Sequence, residues 1–441
     1  MGKRGTIGPA SETEAKHVIF PWHALAQARV SIPTFPDSRE LGRGNGEVDL
    51  TMKMNRTRRD FLATMGMAAG AYLARPTLLS AQHAPASRVA IGACPEYNRQ
   101  VVDVLSSMFD QLGGLKGLVG GKTVAIKLNL TGTPDLRLNN LPVEMTNWVH
   151  PQVVGALVHL LGAAGAKRIR LLESAPMGVK PLEEFMLSAG WQPRDFASAA
   201  PRVEFENTNF LGSAKEYATF MVPGGGLMYK GYDLNHSYRD TDVFVSLAKL
   251  KEHRTAGVTL SMKNCFGNTP CTIYSKEAPE DEPSIVPVGF REPMHSGSRV
   301  PPKSAPQPVD LVAPKDPGYR VPRITADLVA ARPIHLAVID GIYTMTGGEL
   351  PNQQRAIHQP VHPGLLIAGM NCVSTDAVST AVMGFDPMAD RGTPPFEKCD
   401  STLRLAEHLG VGTRDLSRIE VVGMPISKAR FRFPPLSDLI A

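Results

Sequence analysis

From Arg88 onward, apolar runs of strand length alternate with stretches of helical period. That pattern predicts an α/β fold, a mainly parallel sheet flanked by helices. Val89-Ala90-Ile91-Gly92 reads as the first strand, and Arg99 to Leu112 as a helix closed by Gly113-Gly114. Thr123 to Ile126 is the second strand. His150 to Leu161 follows as a helix with Pro151 at its first position, where a missing N–H costs nothing. Arg168 to Leu172 gives a third strand and Pro181 to Ala189 a helix. Shorter strands from Val203 to Tyr232 surround a Gly224-Gly225-Gly226 turn, Asp242 to Leu247 is a buried strand, and Val258 to Asn264 opens a helix. Later come Ile324 to Val329, strands at His335 to Ile339 and Leu365 to Ala368, a helix at Thr375 to Met383, and closing elements at Ser401 to Leu409 and Ile419 to Val422.

The periodicity fails in two places. Residues 276–320 are rich in Pro and Ser, and so long an irregular insert is either a functional lid or a disordered loop. Residues 1–51 mix Pro, Gly and charge without period, as an unstructured or mis-assigned N-terminal extension would, with Met52 or Met54 as a natural start. Next stands Thr57-Arg58-Arg59-Asp60-Phe61-Leu62, and the apolar run from Phe61 to Leu73 is too short to span a bilayer. A twin-arginine pair before such a run reads as a signal peptide over 52–81, cut after Ala81. It implies the twin-arginine (Tat) export machinery as a partner, passage in the folded state, a periplasmic location and no stable membrane span after removal. The α/β domain then covers 88–425, as one unit or as two lobes at 88–235 and 236–425, with a tail at 426–441.

Composition narrows the classes. The chain has 441 residues, 43% hydrophobic and 20% charged, with a formal net charge of +5. The excess sits at the front: up to Ala81 there are eleven Lys/Arg against seven Asp/Glu, and 36 against 35 afterwards. The body is nearly neutral and shows no basic stripe interleaved with aromatics, so nucleic acid is not an expected partner. Five cysteines, Cys94, Cys265, Cys271, Cys372 and Cys399, include no C-x-x-C pair, which argues against an iron–sulphur cluster. Cys265 and Cys271 are close enough in sequence to bridge in an oxidising compartment; the other three read as buried and inert.

Chemistry gathers just past the apolar strands. Lys127 and Asn129 follow the second strand, Glu173 and Ser174 the third, Lys249, Lys251 and His253 the strand at 242–247, and Asp340 that at 335–339. Ligands of open α/β sheets bind at the carboxyl ends of strands. Lys127, Lys249, Lys251 and Lys263 supply compact positive charge for a phosphate or carboxylate. Glu173, Asp340 and Asp376 supply oxygen ligands for a divalent metal. Each of these charges has a plainer alternative, as a solvated strand end or a helix cap, and the cap is the stronger reading for Asp376. Gly347-Gly348 offers backbone N–H groups to an anion, although no Walker, G-x-G-x-x-G, H-E-x-x-H or G-x-S-x-G motif occurs. His358 and His362 read as surface residues.

Several segments together resemble the domain-of-unknown-function 362 family: Val124-Ala125-Ile126-Lys127-Leu128-Asn129-Leu130, His150-Pro151, Gly165-Ala166, Leu247-Ala248-Lys249-Leu250-Lys251-Glu252-His253, Ser261-Met262-Lys263-Asn264-Cys265-Phe266-Gly267, Ile339-Asp340-Gly341-Ile342, Ser374-Thr375-Asp376-Ala377-Val378 and Met383-Gly384-Phe385. The resemblance runs from about Val89 to Gly423. It implies an α/β domain whose activity is largely unassigned, and a shared site of Lys127, Asn129, Lys251, His253, Lys263, Asn264, Asp340 and Asp376. Some relatives carry ferredoxin-like cysteine motifs, which are missing here.

The function expected from these readings is an exported, cofactor- or metal-dependent enzyme acting on an anionic small molecule, with oxidoreductase slightly ahead. His253, Lys263 and Asp340 would be catalytic, and Lys127, Asn129, Lys249, Lys251 and Asn264 would bind substrate. Glu173, Asp340 and Asp376 would hold the metal. The alternative is a non-catalytic ligand-binding or accessory protein of a periplasmic redox system.

Overall fold

Eight strands pair into one sheet in the computed structural model, which describes residues 87–174, 180–286, 289–351 and 357–436. The extension 1–51 and the twin-arginine segment 52–81 lie outside the described residues. The strands are β1 (Ser87–Ala93), β2 (Thr123–Lys127), β3 (Arg168–Glu173), β4 (Val203–Asn207), β5 (Val243–Lys249), β6 (Leu336–Gly341), β7 (Leu365–Gly369) and β8 (Ile419–Gly423). Their order is β8-β1-β7-β6-β5-β2-β3-β4. All neighbours are parallel except at β7, which runs antiparallel to β1 and to β6.

The expected α/β architecture is therefore present, and burial explains why its strands read as continuous apolar runs. All seven residues of β5 are buried, because a strand covered on both faces has no solvent side to alternate toward. Successive side chains still point to opposite faces. Val89 and Ile91 join a core with α5 (Pro317–Ala331), α6 (Cys372–Val382) and α7 (Thr402–His408). Ala90 joins the opposite core with α1 (Gln100–Gln111), α2 (Pro151–Ala163) and α3 (Leu182–Ser188). The helix opened at Val258 is α4 (Leu260–Asn264).

Two domain readings change. A division into lobes at 235 is not a boundary: β1 lies between β7 and β8, so strands from both segments share one sheet, and all described residues fall in one compact unit. Insert 276–320 is neither a free lid nor an open loop over its described residues. Met294, Ala305 and Ala313 are buried in the core shared with α5, and Glu292–Ser296 forms a helical turn. The tail is also tied down, with Ala429 and Phe433 in the same core. Among the described residues, no helix is long and apolar enough to cross a membrane. All five cysteines are free and buried, so the Cys265–Cys271 bridge is not formed.

Candidate functional site

The carboxyl ends of β2 and β3, the segment after β5, helix α4 and part of the insert enclose a cavity of about 390 Å³. Lys127, Asn129, Glu173, Lys251, His253, Lys263 and Asn264 all line it. All seven are among the expected site residues, and the topology explains why they meet: parallel neighbours β5, β2 and β3 deliver their carboxyl ends to one rim.

Lys127 ends β2, and its Nζ lies 2.6 Å from Glu173 Oε1 at the end of β3. Both are buried, and Glu173 is further held by the backbone N–H groups of Leu130 and Ser174. Burial lowers the Lys127 ammonium, and Glu173 opposes that shift. Close approach needs the glycine at 267, since a Cβ there would sit 3.0 Å from Lys127 Nζ. Asn264 donates to the backbone oxygens of Lys127 and Leu247 and to Ser246 Oγ, fastening α4 across β2 and β5. Asn129 Oδ1 accepts from the Lys249 backbone N–H at 3.3 Å.

Lys251 is fully buried, and its Nζ donates to two oxygens of one residue, Asn147 O and Oδ1, each at 2.7 Å. Asn147 is fixed in turn by donation from its Nδ2 to Thr131 O. Among the described residues no carboxylate lies in ion-pair contact with Lys251. Burial lowers its amine to about 7; Glu349 opposes the shift, and Lys249 and Lys263 reinforce it. Lys263 stands 4.3 Å over the Phe266 ring, and burial lowers its ammonium to about 8, with Glu349 opposing and Arg291 reinforcing. His253 Nδ1 accepts the Thr255 N–H. The same nitrogen stands 3.6 Å from Glu349 Oε2, and burial drives the ring's pKa well below the ordinary histidine value, with Glu349 opposing.

Four ionisable lining residues escaped the sequence reading: Arg291, Glu292 and His295 of the insert, and Glu349 after β6. Arg291 donates to Thr269 O, Ser174 Oγ and Asn209 Oδ1. His295 is neutral, its pKa lowered to about 4 by burial and then by Lys263. Glu349 Oε2 accepts the Arg254 N–H. No motif marks Arg291 or His295, because their segment has no period; the one usable signal was a cluster of Arg, Glu and His in an otherwise Pro-rich stretch.

Lys249 and Asp340 are placed elsewhere. Both are wholly buried and paired at 3.0 Å. Lys249 Nζ also donates to Tyr97 Oη and Glu144 O, while Asp340 accepts from Tyr97 Oη and from the His150 and Ile342 N–H groups. Neither lines the cavity. Asp376 is not at the first turn of its own helix α6 but anchors a different one. It accepts from Ser261 N, Ser261 Oγ and Met262 N at the start of α4, where Leu260 enters with φ +45°.

Glu173, Asp340 and Asp376 thus serve three separate sets of partners and do not fit a shared metal. Among the described residues no group of three or more His, Cys, Asp or Glu side chains could hold one. The anion reading of Gly347 also changes, because its N–H already binds the Glu252 carboxyl at 3.0 Å. Burial raises that carboxyl to about 8. His358 is not a surface residue: it is buried, with Nε2 within 3.0 Å of Gly347 O, whereas His362 is exposed as expected.

Residues 124–381, more than half of the chain, match the family described as Domain of unknown function (DUF362). The chain belongs to that family. Every cavity residue named above falls inside the matched DUF362 segment. No curated protein matches the chain. Among solved structures, a Thermotoga maritima protein is 13% identical with a TM-score of 0.32, covering 61% of this chain and 54% of its own. The lactate racemase apoprotein from Thermoanaerobacterium thermosaccharolyticum is 10% identical with a TM-score of 0.31, covering 63% and 54%. This DUF362 chain therefore spans about half the length of each, and likenesses so distant carry no argument about its chemistry.

Proposed function

We propose that this DUF362 protein is an exported, periplasmic enzyme whose cavity binds and acts on an anionic small molecule. One observation carries the reading: Lys263, free of any ion pair among the described residues, faces a cavity that Arg291 and Lys251 also line. The Lys263 ammonium is costly to keep charged there while nothing is bound. An arriving carboxylate or phosphate supplies the missing counter-charge, so charge-assisted hydrogen bonds form where the desolvation cost has already been met. A cavity of about 390 Å³ suits an organic molecule rather than a bare ion. The neutral rings of His253 and His295 supply proton donors and acceptors near that anion. The twin-arginine segment supports the exported location, and N-terminal sequencing of protein from the periplasmic fraction checks it.

Calorimetric titration of the folded chain with phosphate and with lactate tests the site. Saturable binding of at least one is expected, weakened about tenfold to a hundredfold in Lys263→Met. No saturable binding of either anion overturns the proposal.

A further inference from the structure

We infer that Lys251 is an amine nucleophile, condensing with the carbonyl carbon of an anionic oxo compound held in the cavity to form an imine. The inference rests on the anion-binding reading above and names the substrate class of the same site.

Three buried lysines stand at or just past strand ends, and two of them have carboxylates: Lys127 has Glu173 and Lys249 has Asp340. Lys251 has none among the described residues. A tetrahedral nitrogen has four directions. One is taken by its own carbon and two by Asn147 O and Oδ1. Both of those partners accept, so a neutral amine satisfies them with its two hydrogens, and its lone pair takes the fourth direction. A lysine desolvated beside other cations is the usual setting for an amine that attacks carbonyls. Lys263 and Arg291 line the same cavity and can hold the anionic part of the substrate; burial disfavours an ammonium at Lys251, with Glu349 opposing and Lys249 and Lys263 reinforcing. The Phe266 and Leu130 side chains add apolar wall.

The step balances without an oxidant or reductant. The nitrogen lone pair forms the N–C bond while the C=O π pair moves to oxygen. One of the two amine protons passes to that oxygen, and a cavity acid such as the Lys263 ammonium supplies a second. Water leaves with the oxygen, and the product is a protonated C=N bond. Hydrolysis reverses the sequence, and while the imine stands it draws electrons from the neighbouring carbon.

Borohydride reduction tests the inference on the unsubstituted chain, so no variant has to fold. The protein is incubated separately with pyruvate and with dihydroxyacetone phosphate, reduced, digested and mapped by mass spectrometry. Label on Lys251, about tenfold or more above any other lysine, is expected with at least one probe. The better probe tells a carboxylate substrate from a phosphate one. No label on Lys251 with either, or label spread evenly over the surface lysines, overturns the inference. Lactate and glycerol 3-phosphate, which lack the carbonyl, are added as competitors. Calorimetric binding of these two without label sinks the imine and leaves the anion reading standing. Label that neither competitor reduces, together with no calorimetric binding, sinks the anion reading instead.

Discussion

Lys249 and Lys251 are two residues apart, both fully buried, and live in opposite electrostatic regions. Lys249 has Asp340, Tyr97 Oη and Glu144 O around its nitrogen, a closed knot joining β5, β6 and the segment before α1. Lys251 has only two oxygens of Asn147. A neutralised charge that touches no cavity is a fastener. A buried amine without a counter-charge, facing a cavity, is available for chemistry. Strand-end position does not separate these cases; the partner does.

The largest expected effect breaks the first region. Lys249→Met or Asp340→Asn leaves a buried partner uncompensated and should cost about 3–5 kcal/mol in urea unfolding. The double change Lys249→Met/Asp340→Leu should recover most of that loss, since apolar replacement of a whole buried pair is often neutral. Equal losses in the single and double variants would show that the knot's other hydrogen bonds carry the stability.

Next comes converting the second region into the first. Asn147→Asp places a carboxylate where Oδ1 now lies, 2.7 Å from Lys251 Nζ. An opposite charge that close should raise the lysine pKa by about 1–3 units. Borohydride-trapped label at Lys251 should then fall about tenfold to a thousandfold, read by mass spectrometry under identical conditions. Label at the original level would mean that the lone pair at Lys251 is not set by its partner, and the comparison would fail.

A smaller effect separates the regions by pH. Lys251 is lowered by burial to about 7, against 10.5 for an ordinary lysine. Between those values the unfolded chain holds a proton that the folded chain has released, so stability rises with pH across the window. The slope contribution reaches about 1.4 kcal/mol per pH unit and should vanish in Lys251→Met, as read from unfolding curves at pH 7, 8 and 9. Anion affinity runs the other way, because Lys263 loses its charge as pH rises through about 8. Phosphate or lactate titrated at the same three pH values should therefore bind progressively more weakly.

What was legible in the sequence follows the same division. Strand and helix positions were visible because two-sided burial writes long apolar runs, as β5 shows. Lys127 and Lys251 were found because strand ends are a topological address, and Lys263 because it stands in a segment that resembles the family. Asp340 shared that address yet belongs to Lys249, since its other partner, Tyr97, lies some 240 positions upstream and no local pattern couples them. Arg291 and His295 were missed for the complementary reason: they reach the cavity from a segment whose fold is set by tertiary packing of Met294 and Ala305, with no periodicity to read. His358 was misplaced because a Pro-rich approach looks exposed, while the Gly347 carbonyl and the Arg254 guanidinium enclose its ring.

Asp376 gives the smallest and most discriminating change, as a buried carboxylate satisfied by neither a lysine nor a cavity. Its two oxygens accept three hydrogen bonds from the first residues of α4, the helix that carries Lys263 and Asn264. Burial raises its carboxyl to about 7, against the pull of those bonds. Asp376→Ala removes a cap and should cost about 1–2 kcal/mol in urea unfolding. Asp376→Asn should not restore the loss, because either amide orientation turns an N–H₂ toward a backbone donor. If Asp376 only anchors α4, phosphate or lactate affinity should fall modestly in both variants while imine trapping at Lys251 persists, since that lysine is held by Asn147 instead. Loss of trapping equal to that in Asn147→Asp would place Asp376 within the reacting cluster and blur the line drawn between fastener and site.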